Sequence, residues 1–133
     1  MMILQPTSHL RQVFHFNEAV ELAIKTDADS VLSVAEIPEQ YTGVNAMAQG
    51  DDGFLRLVSG KPVRERIPRR QDRPRTYWSI GMIYLSKPKF LFDAASPNLY
   101  GERVAPYIVD QKYLVDINVP EDWTRAEKAM KNL

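Results

Sequence analysis

Residues 1–37, MMILQPTSHLRQVFHFNEAVELAIKTDADSVLSVAEI, decide the fold class of this chain. Residues 1–4 predict a short buried strand, because residues 5–8 (QPTS) form a polar turn whose proline cannot donate to a β-ladder. Residues 30–37 are mostly apolar and β-branched, which predicts a second strand. Apolar residues recur between the strands at helical spacing, with Asn17 as the expected N-cap. They are Phe16, Ala19, Val20, Ala23 and Ile24.

Strand, helix and strand together form one βαβ unit, so the fold class is expected to be α/β. The two strands should run parallel with a right-handed crossover between them. Ligands of such sheets bind outside the carboxyl ends of the strands. The polar residues 5–8 are therefore expected at the functional edge of the sheet.

The remaining sequence alternates between irregular and regular segments. Residues 38–66 carry many glycines and prolines around short alternating runs, which predicts a β excursion. Residues 79–85 predict another core strand and residues 87–93 a short helix, whereas residues 98–109 are rich in turn formers and predict a loop. Residues 115–118 (VDIN) predict a last strand, followed by a helix that begins at Pro120. Its expected apolar stripe is Trp123, Ala126, Met130 and Leu133.

Composition indicates one ordinary globular domain. The 133 residues are 44% hydrophobic and 26% charged, and the formal net charge is zero, so only a local patch could attract nucleic acid or an anionic membrane. Cysteine is absent, which excludes disulfides and thiolate metal sites and favours a reducing compartment, so we expect a cytoplasmic protein. The N-terminal residues lack the features of a signal peptide, and no apolar run predicts a membrane span.

One dense cluster of positive charge interrupts this balance. Residues 64–75 contain six arginines and only two acidic residues, and they lead directly into the strand at 79–85. Guanidinium groups bind carboxylate or phosphate in a bidentate manner, so the cluster favours a charged substrate. A solvated loop without a ligand is the simpler alternative. Nucleic-acid binding, with Tyr77 and Trp78 as stacking platforms, is disfavoured because the patch is a single short run.

Asp116 and Asn118 are the candidate metal ligands. On a strand they would point to the same face, and their oxygens could hold Mg²⁺ together with substrate phosphates. From spacing alone the simpler alternative is favoured, in which Asn118 caps the last helix and Asp116 is an ordinary strand-end residue. His9 and His15 are the only histidines and are expected to be structural or exposed. The six glycines form no Gly-rich phosphate loop.

Six segments, taken together in this order, resemble a known family. They are LQPTSHLR (4–11), ADSVLSV (28–34), RRQDRP (69–74), IGMIYL (80–85), LYGERVAPYIV (99–109) and VDINVPEDWTRAE (115–127). The chain is thereby similar to the acylneuraminate cytidylyltransferases, also called CMP-sialic acid synthetases. The resemblance implies a three-layer α/β/α nucleotide-diphospho-sugar-transferase-like fold with a Rossmann-like mixed sheet. It also implies transfer of CMP from CTP to an acidic nine-carbon 2-keto sugar, with Mg²⁺ as cofactor and release of pyrophosphate.

The resemblance assigns roles to individual residues. Gln5, Arg70 and Tyr84 match positions that contact the acidic sugar, and Asp116 and Asn118 match the pair of acidic positions that holds the metal, with Asp116 as the catalytic residue. The family usually has Asp at the second of these, so the neutral Asn118 implies weaker metal binding. Three further positions depart from the family pattern, so a related acidic sugar is as well supported as sialic acid. They are His9, Arg73 and Ile80.

The resemblance begins at the LQPTS strand, so this chain is expected to correspond to a C-terminal part that lacks the CTP-binding segment. A single α/β domain with an insert at 38–78 that resembles the family's dimerisation arm is expected, and with it a homodimer. The isolated chain should be a poor or inactive catalyst, because phosphate positioning supplies most of the rate enhancement. Three alternatives remain open. The first is a non-catalytic module for oligomerisation or acidic-sugar binding, and the second is half of a split enzyme with a complementing N-terminal half. The third is a start codon assigned wrongly within a longer gene.

Overall fold

The computed structural model describes residues 1–93 and 95–133, and these residues form two compact units. The first, here called the sheet unit, comprises Met1–Ala35 and Ser79–Leu133, and the second, the hairpin unit, comprises Glu36–Trp78. Within the described residues, no helix has the length and apolar character that crossing a membrane requires.

The main sheet has four strands in the order β1-β5-β2-β6. The strands are β1 (Met2–Ile3), β2 (Ser30–Glu36), β5 (Tyr77–Ser86) and β6 (Val104–Ile108). β1 pairs antiparallel with β5, whereas β2 pairs parallel with β6. The expected α/β class with a mixed sheet is therefore confirmed, and β5 lies between the two strands that the sequence analysis joined into one βαβ unit.

Helix α1 (Val13–Thr26) begins earlier than its apolar spacing indicated. The expected N-cap at Asn17 is wrong, because the helix starts after Gln12, whose backbone N–H donates to Nδ1 of His15 at 2.9 Å. The imidazole thus takes the place that a carboxylate occupies in an ordinary capping box. Ala19 packs in the core, while the Val20 side chain is exposed.

The core of the sheet unit lies between α1 and the central strands. Its buried apolar members are Ala19, Ala28, Val31, Met82, Ile83, Tyr107 and Val109. His15 is also buried and packs edge-on against the rings of Tyr107 and Tyr113. The Tyr107 hydroxyl donates to Oε2 of Glu18 on α1 at 2.5 Å, so a hydrogen bond as well as apolar packing joins helix to sheet.

Two regions of the sheet unit differ from the sequence prediction. The loop expected at 98–109 contains β6. Pro106 and the turn formers that precede the strand, Asn98 and Gly101, favoured a loop, but proline is tolerated in an edge strand. The last strand expected at 115–118 is wrong, because these residues are irregular and lie between a 3₁₀ turn (Gln111–Tyr113) and helix α3 (Pro120–Met130). There the backbone N–H of Asn118 donates to a side chain, Asp122, instead of to a strand partner.

The helices that follow β5 are close to expectation. The short helix α2 (Pro88–Leu91) lies within the expected residues 87–93, and α3 begins at Pro120 as predicted. The expected apolar stripe of α3 is only partly buried, since Ala126 is in the core but the Trp123 and Met130 side chains are each 59% exposed. Leu133 lies beyond the end of the helix and is exposed.

The hairpin unit consists of a two-stranded sheet and several 3₁₀ turns. Strands β3 (Met47–Gln49) and β4 (Leu55–Leu57) pair antiparallel, which confirms the predicted β excursion. Asp52 and Arg56 form a two-bond ion pair across the hairpin turn, with N–O distances of 2.8 and 2.5 Å. The role of residues 38–78 as a dimerisation arm stays a prediction.

Candidate functional site

Gln5 follows β1 and lies against the neighbouring strand β5. Its side-chain amide occupies the space where a Cβ on Gly81 would sit, because an ideal Cβ built there would be 1.8 Å from Gln5 Oε1. Gly81 also has a φ of +71°, a conformation that residues with side chains rarely adopt. The glycine in the middle of β5 therefore provides the room in which the Gln5 amide rests on the sheet.

Arg11 holds the same segment on β5. One guanidinium nitrogen, Nη1, donates to the backbone carbonyl of Gln5 at 3.1 Å and to the carbonyl of Met82 at 2.9 Å. Partial burial lowers the pKa of the Arg11 guanidinium, but an arginine stays charged at neutral pH all the same. Sequence reasoning missed both Arg11 and Gly81. The signal was an arginine shortly after the polar turn and a lone glycine inside a strand.

Tyr84 lies on β5 directly opposite Ile3 of β1 and is half-buried. Its hydroxyl makes no hydrogen bond to another described residue. Gln5 and Tyr84 thus lie along the same pair of strands, β1 and β5. This places two of the expected sugar-contacting residues on one part of the sheet unit.

Asp116 and Asn118 lie in the irregular segment before α3. Oδ1 of Asp116 is buried and has no hydrogen-bond partner among the described residues, whereas the Asn118 side chain is exposed. Leaving a carboxylate oxygen buried and unpaired costs free energy of roughly 1–3 kcal/mol. An open cavity of about 470 Å³ adjoins this segment. It is lined by Ile117, Asn118, Val119, Pro120, Trp123 and Thr124.

Asp122, in the first turn of α3, is buried and fully paired. Its Oδ2 accepts the backbone N–H groups of Asn118 and Val119 at 2.9 and 3.0 Å, and its Oδ1 accepts from the guanidinium of Arg125. These hydrogen bonds hold the pKa of Asp122 below its usual value, and the bond from Asn118 has the largest effect on it. Asp122, rather than Asn118, therefore caps the helix. The signal in the sequence was the pair of acidic residues in the first turn of the helix, Glu121 and Asp122, which the sequence analysis did not use.

The oxygen atoms of Asp116 and Asn118 are compatible with a hard divalent cation such as Mg²⁺. Within residues 1–93 and 95–133, no three His, Cys, Asp or Glu side chains come together, which excludes a cage built only of such ligands in that part of the chain. Mg²⁺ needs no such cage, since it binds one or two protein oxygens and keeps several waters and substrate phosphates. The unpaired Oδ1 of Asp116 is a suitable oxygen for it.

His9 resembles Asp116 in one respect. Its Nδ1 lies 3.2 Å from the Thr7 carbonyl, while its Nε2 is buried without a hydrogen-bond partner in the described part of the chain. His15 is buried in the core. Burial lowers the pKa of His15, and nearby Glu18 and Arg11 act in opposite directions on it.

In the hairpin unit, Arg70 lines a cavity of about 260 Å³, here called the arginine pocket. Arg70 Nε lies 4.0 Å from a carboxylate oxygen of Glu39, and Arg75 Nε lies 3.9 Å from one of Glu36. All four side chains are more than half exposed, and such surface pairs contribute little to stability. The pocket is lined by Glu36, Ile37, Glu39, Thr42, Arg70, Gln71, Arg73, Pro74, Arg75 and Thr76.

Arg73 differs from its neighbours in the cluster. It is half-buried and donates from Nε to the Ile67 carbonyl at 3.2 Å and from Nη2 to the Pro68 carbonyl at 3.3 Å. Its guanidinium thus supports the loop of the hairpin unit. Arg70 and Arg75, which face only carboxylates at long distance, are the cations that an anion could bind.

These features define a mixed-sheet α/β fold with a buried, unpaired carboxylate oxygen among the described residues of the sheet unit and a pocket lined by arginines in the hairpin unit. The chain is similar to curated proteins named N-acylneuraminate cytidylyltransferase. One, from Streptococcus agalactiae serotype V, is 26% identical over 121 residues, which are 91% of this chain and 28% of that protein. N-acylneuraminate cytidylyltransferase A from Danio rerio is 30% identical over 125 residues, which are 94% of this chain and 27% of that protein.

The predicted resemblance is therefore confirmed along nearly the whole chain. The chain spans little more than a quarter of the length of these curated relatives. No protein-family model matches the sequence.

Proposed function

We propose that this chain provides the acidic-sugar and metal-binding part of a nucleotidyltransferase that transfers CMP from CTP to an acidic 2-keto sugar. The observation that carries the proposal is the buried, unpaired Oδ1 of Asp116 in a chain similar to N-acylneuraminate cytidylyltransferases. In this reaction the 2-hydroxyl oxygen of the sugar attacks the α-phosphorus of CTP. A bond forms between this oxygen and the α-phosphorus, and the bond from the α-phosphorus to the oxygen that bridges to the β-phosphate breaks. Pyrophosphate leaves with that bridging oxygen, and the hydroxyl proton passes to water.

The resemblance assigns sugar contacts to two residues of the sheet unit and, separately, to Arg70 of the hairpin unit. The Gln5 amide, held on β5 above Gly81, offers both a donor and an acceptor to hydroxyl groups. The unbonded hydroxyl of Tyr84 offers another contact along the same strands. Arg70 in the arginine pocket offers a guanidinium to an acidic group, since its present partner Glu39 is 4.0 Å away.

Asp116 and Asn118 would hold Mg²⁺, with Asp116 supplying the charged oxygen. When bound, Mg²⁺ neutralises charge on the phosphates of the nucleotide and helps to orient them. The residues of this chain would fix the sugar and shield the reacting atoms from water. The neutral amide of Asn118 provides a weaker ligand than a second carboxylate would.

Binding of the sugar can be tested on this chain directly. N-acetylneuraminic acid binding, followed by saturation-transfer NMR, should fall about tenfold or more in Arg70→Ala and in Gln5→Ala, because each variant removes hydrogen bonds to the ligand. Arg64→Ala is the control, since Arg64 is an exposed arginine of the same cluster outside the lining of the arginine pocket. Equal loss in Arg64→Ala would indicate that only the net charge matters and would contradict the assignment of Arg70.

Activity is tested separately by pyrophosphate release from CTP and N-acetylneuraminic acid. We expect little or no turnover by the chain alone, because it spans little more than a quarter of the length of its relatives. Addition of a complementing chain that carries a CTP-binding segment should restore turnover. Steady turnover by the 133-residue chain alone would contradict this part of the proposal.

A non-catalytic acidic-sugar-binding module is the second candidate function. It is favoured by the arginine pocket, whose lining residues all belong to the hairpin unit. Sugar binding that depends on Arg70, without turnover in the presence of any complementing chain, would support it. In either case we propose a cytoplasmic protein, in keeping with the absence of cysteine.

We also propose that residues 38–78 join two copies of the chain in a homodimer. Large apolar side chains around β4 are exposed in the hairpin unit, and an isolated two-stranded sheet is only marginally stable without a partner. They are Phe54, Leu55 and Val58. Light scattering coupled to size-exclusion chromatography should give the mass of a dimer, and a monomer would contradict this.

A further inference from the structure

The turn between Asp116 and α3 is shaped by one buried carboxylate. Asp122 is only 5% exposed, and its Oδ2 accepts two consecutive backbone N–H groups, those of Asn118 and Val119. Two such bonds to one oxygen fix the direction in which the chain leaves Asp116. Because residues 115–118 have no strand partner, these bonds are what holds the end of the segment in place.

Asp122 and Asp116 divide two tasks between two carboxylates. Both oxygens of Asp122 are engaged, one with the backbone and the other with Arg125, so Asp122 has little capacity left for a ligand. Asp116 has the opposite character, since its buried Oδ1 has no partner in the described residues. Asp122 therefore fixes the backbone of the turn, whereas Asp116 keeps one oxygen without a partner among the described residues.

We infer that Asp122 is a positioning residue for the divalent-cation site, holding the 116–118 segment so that Asp116 and Asn118 present their oxygens to the same ion. This inference rests on the proposed function of Asp116. Residues that orient metal ligands commonly change metal affinity by 10–100-fold when they are replaced. The expected effect of losing Asp122 is therefore a weaker site in a chain that is still folded.

The test uses Mn²⁺ alone as the probe, with the full chain and no nucleotide. Paramagnetic broadening of the backbone amide signals of residues 116–119 by NMR reports binding at this segment, and a titration gives the affinity. Asp122→Ala should weaken Mn²⁺ binding by at least about tenfold. Asp122→Glu should restore most of it, because a glutamate at this helix position can still accept the Val119 N–H in a capping box.

Arg125→Ala is the matched control. It removes the partner of Asp122 Oδ1 and leaves in place the two hydrogen bonds that Asp122 Oδ2 accepts from the backbone of Asn118 and Val119. Melting temperature and helix content separate loss of positioning from loss of folding. If Asp122→Ala does not fold, Asp122→Leu, which keeps a similar volume but has no acceptor oxygen, is measured instead with the same expected direction.

The outcomes distinguish this inference from the proposed function. Mn²⁺ affinity that is unchanged in a folded Asp122→Ala or Asp122→Leu variant would overturn the inference alone. Binding that is absent from the unaltered chain, or unchanged in Asp116→Ala, would overturn the proposed metal site and the inference with it. Weaker binding in Asp122→Ala, rescue in Asp122→Glu and no change in Arg125→Ala would support the inference.

Discussion

In the sheet unit the polar groups of interest are held by close contacts, whereas in the hairpin unit they are exposed and loosely paired. The Gln5 amide fills the space above Gly81, and Asp122 is almost fully buried and accepts two backbone hydrogen bonds at 2.9 and 3.0 Å. Arg70 and Arg75, by contrast, face carboxylates at 3.9–4.0 Å on an exposed surface. We therefore expect ligand binding to depend on the placement of side chains in the first unit and on the charges next to individual arginines in the second.

Alanine replacement of glycines should give the largest difference between the units. Gly81→Ala should displace the Gln5 side chain, since the new Cβ would collide with the end of that flexible chain, and N-acetylneuraminic acid binding should fall about tenfold. An alanine at the positive φ of residue 81 would be strained, which should lower the free energy of unfolding by about 1–2 kcal/mol. The NMR signals of the Gln5 side-chain amide and denaturant unfolding check both effects.

Two glycines of the hairpin unit serve as matched controls. Gly60 has a φ of +82° but nothing within 4 Å of an added Cβ, so Gly60→Ala should lose stability without losing sugar binding. Gly43 also has nothing within 4 Å and has no positive φ, so Gly43→Ala should change neither property. Unmoved Gln5 signals in Gly81→Ala would show that the amide does not depend on the glycine.

Acidification should destabilise the sheet unit through His15. Burial lowers the His15 pKa below that of the unfolded chain, so the unfolded chain binds more protons below about pH 6.5. The free energy of unfolding should therefore fall as the pH decreases from about 7 to about 5, by roughly 1.4 kcal/mol for each unit of pKa difference. Protonation would also remove the acceptor of the Gln12 N–H. Urea unfolding at several pH values measures this.

The control for the histidine is His15→Gln, which retains a side-chain acceptor and cannot titrate. The decrease of stability with acid should be smaller in this variant than in the unaltered chain. Both histidines lie in the sheet unit, so amide exchange in the hairpin unit should respond less to the same change of pH. An identical pH profile for His15→Gln and the unaltered chain would contradict the role of His15.

The smallest effect is expected in the arginine pocket. Glu39→Gln removes the carboxylate that competes for Arg70, so N-acetylneuraminic acid should bind about two- to fourfold more tightly at low salt. The gain should disappear at high salt, which screens exposed charges. Asp51→Asn makes the same charge change at a carboxylate that forms no ion pair within the described residues, and it should have less effect. A gain of equal size in both variants would point to net charge alone.

Much of the fold was predictable because it follows from periodicity. The apolar alternation around β4, the buried run of β2 and Pro120 at the start of α3 all specify local structure through local residues. The strand β6 was not predicted, because Pro106 and the turn formers before the strand, Asn98 and Gly101, favour a loop until β2 supplies a parallel partner.

The candidate site was predictable only in its residue types. Asp116 and Asn118 were identified, but the strand expected to align them is not formed by residues 115–118. Instead, Asp122 holds this segment by accepting hydrogen bonds from the backbone of Asn118 and Val119. Likewise the room for Gln5 depends on Gly81, which is distant in sequence. Contacts of this kind are set by tertiary packing, which periodicity does not encode.

The hydrogen bond between Tyr107 and Glu18 lets the contact between α1 and the sheet be followed by the ultraviolet absorbance of a tyrosine. Desolvation, and secondly the Glu18 carboxylate, raise the pKa of the Tyr107 phenol well above its ordinary value. The phenol therefore favours the folded state below the ordinary tyrosine pKa of about 10, and this contribution is lost as the pH rises further. In an alkaline absorbance titration, Tyr107 should remain colourless at the phenolate band after exposed tyrosines have ionised. Its late appearance would mark the moment at which α1 separates from the sheet.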